Sequence, residues 1–131
     1  MEGTVTDELL LVSVVDDDAS VRESLPGLLA MFGFAARVFS SAEEFLESGY
    51  VDQTRCLILD IAMPGMTGPD LQEELKSRGQ EIPIVFISAH GDHAIRPRLL
   101  EAGAVECLFK PFSRTALREA LNAALRKNCE M

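Results

Sequence analysis

Residues 56–70 read CLILDIAMPGMTGPD. The first four residues, Cys56–Leu59, are all apolar, which is typical of a strand that is covered on both faces. Asp60 stands at the end of this run. In Thr67–Asp70 a proline occupies a position that the first turn of a helix tolerates. The stretch therefore predicts a buried strand, an acidic strand end and a helix that begins near Thr67.

Apolar runs of this kind alternate with helical patterns along the whole chain. Between the runs, apolar residues recur three and four positions apart, as they do on the buried side of a helix. Gly33, Gly79 and Gly103 stand where these helices should end. The predicted strands are Leu9–Val15, Phe34–Phe39, Cys56–Leu59, Ile82–Ile87 and Val105–Phe109.

Helix starts carry signals of their own. Ser41 with Glu44, and Ser40 with Glu43, have the spacing of a capping box, and Ser113 can cap the last helix. Strict alternation of strands and helices favours parallel pairing with helices on both faces of the sheet. The expected fold class is α/β, with a single five-stranded parallel sheet flanked by five helices.

Length and charge limit the possible functions. The chain has 131 residues and a net charge of −9, from 12 basic and 21 acidic side chains. We expect one domain over residues 1–131, with a core at about 9–127. Such an acidic surface repels nucleic-acid backbones and anionic membranes, so we expect no direct contact with either. No apolar run approaches the ~20 residues that a membrane-spanning helix needs.

The cysteines indicate the compartment. Cys56, Cys107 and Cys129 do not have the spacing of metal ligands. Their odd number, without the basic start and apolar stretch of a secretory signal, favours a reducing compartment. The sequence therefore predicts a cytoplasmic protein.

Polar side chains stand at the carboxyl ends of the predicted strands. In a parallel sheet these ends share one edge, and open α/β sheets bind ligands in the crevice at that edge. We therefore expect the side chains to converge. They are Asp16, Asp17, Asp60, Ser88 and Lys110.

Three carboxylates in one place raise each other's pKa and cost free energy unless a cation compensates them. Carboxylate oxygens, without histidine or cysteine among the strand-end groups, suit Mg²⁺ better than zinc. A single aspartate at a strand end is more often a helix cap than a ligand. We assign Asp18 and Ser20 to capping or solvent on that basis.

Four motifs occur in order along the chain: Val14-Val15-Asp16-Asp17-Asp18, the segment Leu57–Gly68, Ile84-Val85-Phe86-Ile87-Ser88-Ala89 and Lys110-Pro111-Phe112. Together they resemble the receiver domain of bacterial response regulators, a CheY-like domain. Other short motifs, Ser41–Leu46, His90–Asp92 and Ala102–Val105, resemble in particular the receivers of FixJ-like transcription regulators. The resemblance runs from about Leu9 to Leu125.

The resemblance implies the flavodoxin-like strand order 2-1-3-4-5. It also implies that Asp60 is the nucleophile that takes a phosphoryl group and that Lys110 supplies a charge. Ser88 would then offer its hydroxyl to the phosphoryl group. A cis Lys110–Pro111 bond is part of the same expectation.

The implied magnesium ligands are Asp17 directly, Asp16 largely through water, Asp60, and the carbonyl of Ala62. Ala62 and His90 would flank the route of the water that hydrolyses the acyl phosphate. The implied partner is a sensor histidine kinase or a phosphotransfer protein. Homodimer formation on phosphorylation and a DNA-binding continuation of the chain stay open.

Three function classes remain at this point. The first is a two-component switch controlled by phosphorylation, which regulates transcription in relatives of this type. The second is an unphosphorylated interaction module with a receiver fold; such modules normally lack an acid, the acceptor or the lysine, and this chain has all of them. The third is a magnesium-dependent phosphohydrolase, which the absence of a substrate-specificity insert disfavours. The expected protein is thus not an enzyme acting on a separate substrate.

The sequence departs from the family at Cys107, where most receivers have an aromatic residue. Two prolines fall inside helical patterns. Pro26 predicts a kink or widening in the first helix. Pro97 predicts a loop over His90–Arg96, ordered on phosphorylation, and a short fourth helix from about Arg96 or Pro97.

Overall fold

A computed structural model describes residues 9–89 and 94–129, and the side chains among them as far as Arg126. Five parallel strands form one sheet in the order β2-β1-β3-β4-β5. The predicted α/β class and the strand order that the resemblance implied are both confirmed. The strands are β1 (Leu11–Val15), β2 (Ala35–Phe39), β3 (Thr54–Asp60), β4 (Ile84–Ser88) and β5 (Glu106–Phe109).

In the described ranges, four α-helices and one short 3₁₀ turn, Val51–Gln53, connect the strands, and a fifth α-helix follows the last strand. Among the helices of the described ranges, each is too short or too polar to cross a membrane. The helices are α1 (Ala19–Met31), α2 (Ala42–Glu47), α3 (Gly68–Ser77), α4 (Ile95–Glu101) and α5 (Arg114–Cys129).

The core consists of two apolar clusters on opposite faces of the sheet. In β3, Leu57 and Leu59 belong to one cluster and Cys56 and Ile58 to the other, because successive side chains of a strand point to opposite faces. All four are 0 % exposed, as expected for a strand covered on both sides. Helices α1 and α5 cover one face, and α2, α3 and α4 cover the other.

Side-chain caps fix the starts of α2, α3 and α5, whereas α4 has no side-chain cap hydrogen bond. Thr67 and Asp70 form a reciprocal capping box, in which each side chain accepts a hydrogen bond from the other's backbone N–H. Ser41 caps α2 by accepting from the N–H of Glu44 at 3.0 Å. Ser113 accepts from Ala116 N at 3.0 Å, as predicted for the last helix. These caps set the points at which the chain leaves the edge of the sheet.

The two prolines have different outcomes. Helix α1 continues without interruption through Pro26, and the predicted bend of its axis stays a prediction. Helix α4 begins at Ile95, one or two residues before the predicted start, with Pro97 in its first turn. Residues 90–93, which form most of the predicted loop, lie outside the described residues.

Gly68 shows how tightly the start of α3 approaches the end of β3. A Cβ at this position would lie 2.4 Å from the carbonyl oxygen of Asp60 and 3.0 Å from Cε1 of Phe86. A side chain would therefore push α3 away from the strand end.

We predict that Gly68→Ala lowers the free energy of unfolding by about 1–3 kcal/mol, the usual cost of overpacking. Gly27→Ala is the matched control, because a Cβ there meets nothing within 4 Å inside helix α1. It should raise the free energy of unfolding by about 0.5–1 kcal/mol. Urea unfolding measures both changes. Equal effects of the two substitutions would contradict the close approach at Gly68.

Candidate functional site

The central feature of the site is a group of carboxylates at the carboxyl edge of the sheet. Asp60 is the last residue of β3, and Asp16 directly follows β1. Val15 pairs with Leu59 in the parallel ladder, which places the two aspartates side by side. One carboxylate oxygen from each of Asp16, Asp17 and Asp60 lies within 4.8 Å of the others. The structure therefore brings the three predicted acids together.

Asp16 is fully buried, and each of its polar groups has a partner in the protein. One carboxylate oxygen accepts a hydrogen bond from the N–H of Asp18 at 2.9 Å, and the other lies 3.3 Å from Nζ of Lys110. Its own N–H donates to Phe39 O at 3.1 Å, and its carbonyl accepts from Nη1 of Arg22 at 2.9 Å. These contacts hold Asp16 in one position.

Lys110 and Ser88 stand on the two neighbouring strand ends. The N–H of Lys110 donates to the carbonyl of Ser88 at 2.8 Å, and Ser88 pairs with Phe109 in the ladder. The Lys110 ammonium group lies near Asp16 and 3.8 Å from Oδ2 of Asp18. The Lys110–Pro111 bond is cis, as the resemblance implied.

The environment of Asp60 favours its protonated form when no cation is bound. The pKa of its carboxyl group is raised from 3.8 to about 7, mainly by burial and further by the charge of Asp16 and a hydrogen bond with Asp16. The charge of Lys110 and the N–H of Ala62 lower this pKa, but they do not outweigh burial. A cation beside Asp60 would therefore favour the ionised form.

The donor atoms fit a hard divalent cation. Among the described residues, the cluster consists of carboxylates alone, with Asp17 exposed and Asp16 and Asp60 buried. Oxygen ligands from a few carboxylates, completed by water, are what Mg²⁺ prefers. The exposed Asp17 would give a cation access from solvent, and the two buried carboxylates would compensate its positive charge.

Two contacts of the site were not predicted from the sequence. Arg22 holds the carbonyl of Asp16, and the carboxylate of Asp18 lies 3.8 Å from the Lys110 ammonium group. The sequence offered one signal for the Arg22 contact, a basic residue one helical turn after Asp18. The assignment of Asp18 to capping is confirmed by its hydrogen bond from Ser20 N at 2.9 Å. His90, the candidate for the hydrolysis route, lies outside the described residues.

The raised pKa of Asp60 gives a pH-dependent prediction for the metal-free protein. The folded state prefers protonated Asp60, so its contribution to stability is present below pH 3.8 and is lost as pH rises towards about 7. Asp60→Asn removes this loss. In EDTA, the variant should therefore gain unfolding free energy over wild type from pH 5 to pH 8, as measured by urea unfolding.

Two further results complete this test. Adding MgCl₂ at pH 8 should stabilise wild type and leave Asp60→Asn less affected, because binding to the folded state alone shifts unfolding by mass action. If the difference in unfolding free energy between Asp60→Asn and wild type were the same at pH 5 and at pH 8, the raised pKa of Asp60 would be contradicted.

Comparison with known proteins places this geometry in a family. The model of the response regulator receiver domain matches residues 12–122. The response regulator protein TodT of Pseudomonas putida is 41 % identical over 122 residues, which are 93 % of this chain and 54 % of TodT. The transcriptional regulatory protein FixJ of Azorhizobium caulinodans is 37 % identical over 123 residues, 94 % of this chain and 58 % of FixJ.

Solved structures agree with this relationship. The response regulator StyR superimposes with a TM-score of 0.84 at 49 % identity, over 92 % of this chain and 61 % of the StyR chain. The chain spans about half the length of the curated relatives it matches. The resemblance to FixJ-like receivers is confirmed. The chain belongs to the response regulator receiver domain family of two-component signalling systems.

Proposed function

We propose that this domain accepts a phosphoryl group on Asp60, with Mg²⁺ as cofactor, and thereby switches its output surface. The observation that carries the proposal is the meeting of Asp16, Asp17 and Asp60 within 4.8 Å, with the ammonium group of Lys110 at the same edge. The donor would be a phosphohistidine on a sensor histidine kinase or phosphotransfer protein, or a small acyl phosphate.

In the proposed reaction, a carboxylate oxygen of Asp60 attacks the phosphorus of the donor. A new O–P bond forms as the bond to the donor's nitrogen or oxygen breaks, and the electron pair leaves with the donor. Lys110 supplies a positive charge, and the Ser88 hydroxyl donates a hydrogen bond to a phosphoryl oxygen. Positioning and charge neutralisation are the main requirements of such a transfer.

The cation would be held by Asp17, Asp60 and the carbonyl of Ala62. Asp16 fits a role through water, because its carboxylate oxygens already interact with the N–H of Asp18 and with Lys110. When bound, Mg²⁺ supplies positive charge that offsets the carboxylates and the incoming phosphoryl oxygens. Asp17 is exposed and therefore the acid most accessible to a cation from solvent.

The other two function classes have less support. The chain keeps the acid pair, the acceptor and the lysine, whereas an unphosphorylated module would not need them together. A hydrolase would need a place for a separate substrate, and the sequence has no substrate-specificity insert that would form one. FixJ is named a transcriptional regulatory protein, so we propose transcription control as the output of this switch. Homodimer formation on phosphorylation belongs to the same proposal.

Asp60→Asn should abolish phosphoryl uptake while the fold is retained, because the change is nearly isosteric and removes the nucleophile. Intact-mass spectrometry after incubation with MgCl₂ and acetyl phosphate measures the uptake. Wild type should gain the mass of one phosphoryl group. Asp52→Asn is the matched control, since Asp52 lies in the turn before β3, at the opposite end of that strand. Uptake by Asp60→Asn at the wild-type rate would refute the assignment.

Asp17→Ala should weaken Mg²⁺ binding by at least about tenfold, because a direct ligand contributes no less than outer partners, whose loss costs about 10- to 100-fold. Calorimetric titration with MgCl₂ measures the affinity, with Asp52→Ala as the control. At saturating Mg²⁺, Asp17→Ala should still take up some phosphoryl group, since Asp60 is intact. An unchanged affinity would remove Asp17 from the ligand set.

A further inference from the structure

The segment between β3 and α3, residues 61–67, carries part of the site and needs to be held in place. We call it the β3–α3 loop. The backbone N–H of Ala62 donates a hydrogen bond to the Asp60 carboxylate. Two contacts constrain the loop, one in the apolar core and one between its first residue and the start of α3. Met63 is 6 % exposed within the apolar cluster that contains Phe45, and the N–H of Gly68 donates to Ile61 O at 3.0 Å.

A third contact anchors the loop from a different part of the fold. The N–H of Met66 donates to Oε2 of Glu43 in the first turn of α2, at 3.1 Å. The neighbouring Gly65 has φ +75°, and a Cβ there would lie 3.1 Å from the same carboxylate oxygen. The loop therefore comes close to Glu43 at a residue without a side chain.

Helix α2 is well placed to hold this carboxylate still. The N–H of Ser40 donates to Oε1 of Glu44 at 2.6 Å, and Ser41 caps the helix. Phe45 is 0 % exposed and packs edge-on against Phe39, with ring centroids 5.4 Å apart. Glu43 itself is exposed, so its hydrogen bond adds little to global stability. A hydrogen bond depends on direction as well as distance, so it can still set the position of the loop that donates to it.

We propose that Glu43 is a positioning residue for the phosphorylation site. It holds the β3–α3 loop from the side of α2 and so fixes the distance between Ala62 and the Asp60 carboxylate. The inference rests on the proposed function for its effect on phosphoryl uptake. Its effect on Mg²⁺ affinity does not depend on uptake, because the carbonyl of Ala62, a proposed Mg²⁺ ligand, lies in the loop that Glu43 holds.

Three variants separate the roles of Glu43. Glu43→Ala removes the acceptor of the Met66 N–H. Glu43→Gln removes the charge but keeps an oxygen that can accept this hydrogen bond. Glu47→Ala is the control, because Glu47 is exposed on the same helix and makes no hydrogen bond or ion pair with the described part of the chain.

The readouts are Mg²⁺ affinity by calorimetry, the rate of uptake from acetyl phosphate at saturating Mg²⁺, and the melting temperature. Glu43→Ala should weaken Mg²⁺ binding and slow uptake by about three- to tenfold, at or below the lower limit of the roughly 10- to 100-fold effect of supporting partners, because Glu43 is exposed. Glu43→Gln should stay within about twofold of wild type, and Glu47→Ala should match it. The melting temperatures of all three should stay close to wild type.

Two results would overturn the inference: wild-type affinity and rate in Glu43→Ala, or equal losses in Glu43→Ala and Glu43→Gln. A failure of the proposed function looks different. Wild type would then take up no phosphoryl group, while the order of Mg²⁺ affinities among the variants would still test the anchor.

Discussion

The burial of two carboxylates side by side, Asp16 and Asp60, is the constraint on which the site depends. Asp16 is 0 % and Asp60 6 % exposed, and the parallel register of β1 and β3 leaves them no room to separate. The pKa of Asp60 is raised to about 7 as a consequence. Two positively charged side chains compensate part of this negative charge. Lys110 lies 3.3 Å from the Asp16 carboxylate, and Arg22 donates a hydrogen bond to the Asp16 carbonyl. The remaining negative charge is what makes the edge suitable for a cation.

The fold produces this situation because its central strands cannot shift. Strands β1 and β3 lie side by side, and the chain goes to β2 on one side and to β4 on the other, so a crevice opens above them. Apolar side chains cover both faces of β3, and a slip by one residue would exchange its two faces. The apolar core therefore fixes the register, and the register fixes the distance between the acids.

Much of this could be predicted from the sequence, for identifiable reasons. Parallel strands end at one edge, so the convergence of Asp16, Asp17 and Asp60 followed from the strand pattern. The contacts of Arg22 and Glu43 did not, because they depend on how far a side chain reaches between elements that are distant in the sequence. The start of α4 at Ile95 was predicted one or two residues too late. Pro97 can be accommodated in a first turn, which has no need of its N–H.

The most direct test of the central claim is to find which carboxylate carries the phosphoryl group. Wild-type protein would be incubated with MgCl₂ and acetyl phosphate, reduced with borohydride, which converts an aspartyl phosphate to homoserine, and mapped by peptide mass spectrometry. The account predicts homoserine at residue 60 and unchanged aspartate at Asp16 and Asp17. Homoserine at either of those acids, or at no position, would contradict it.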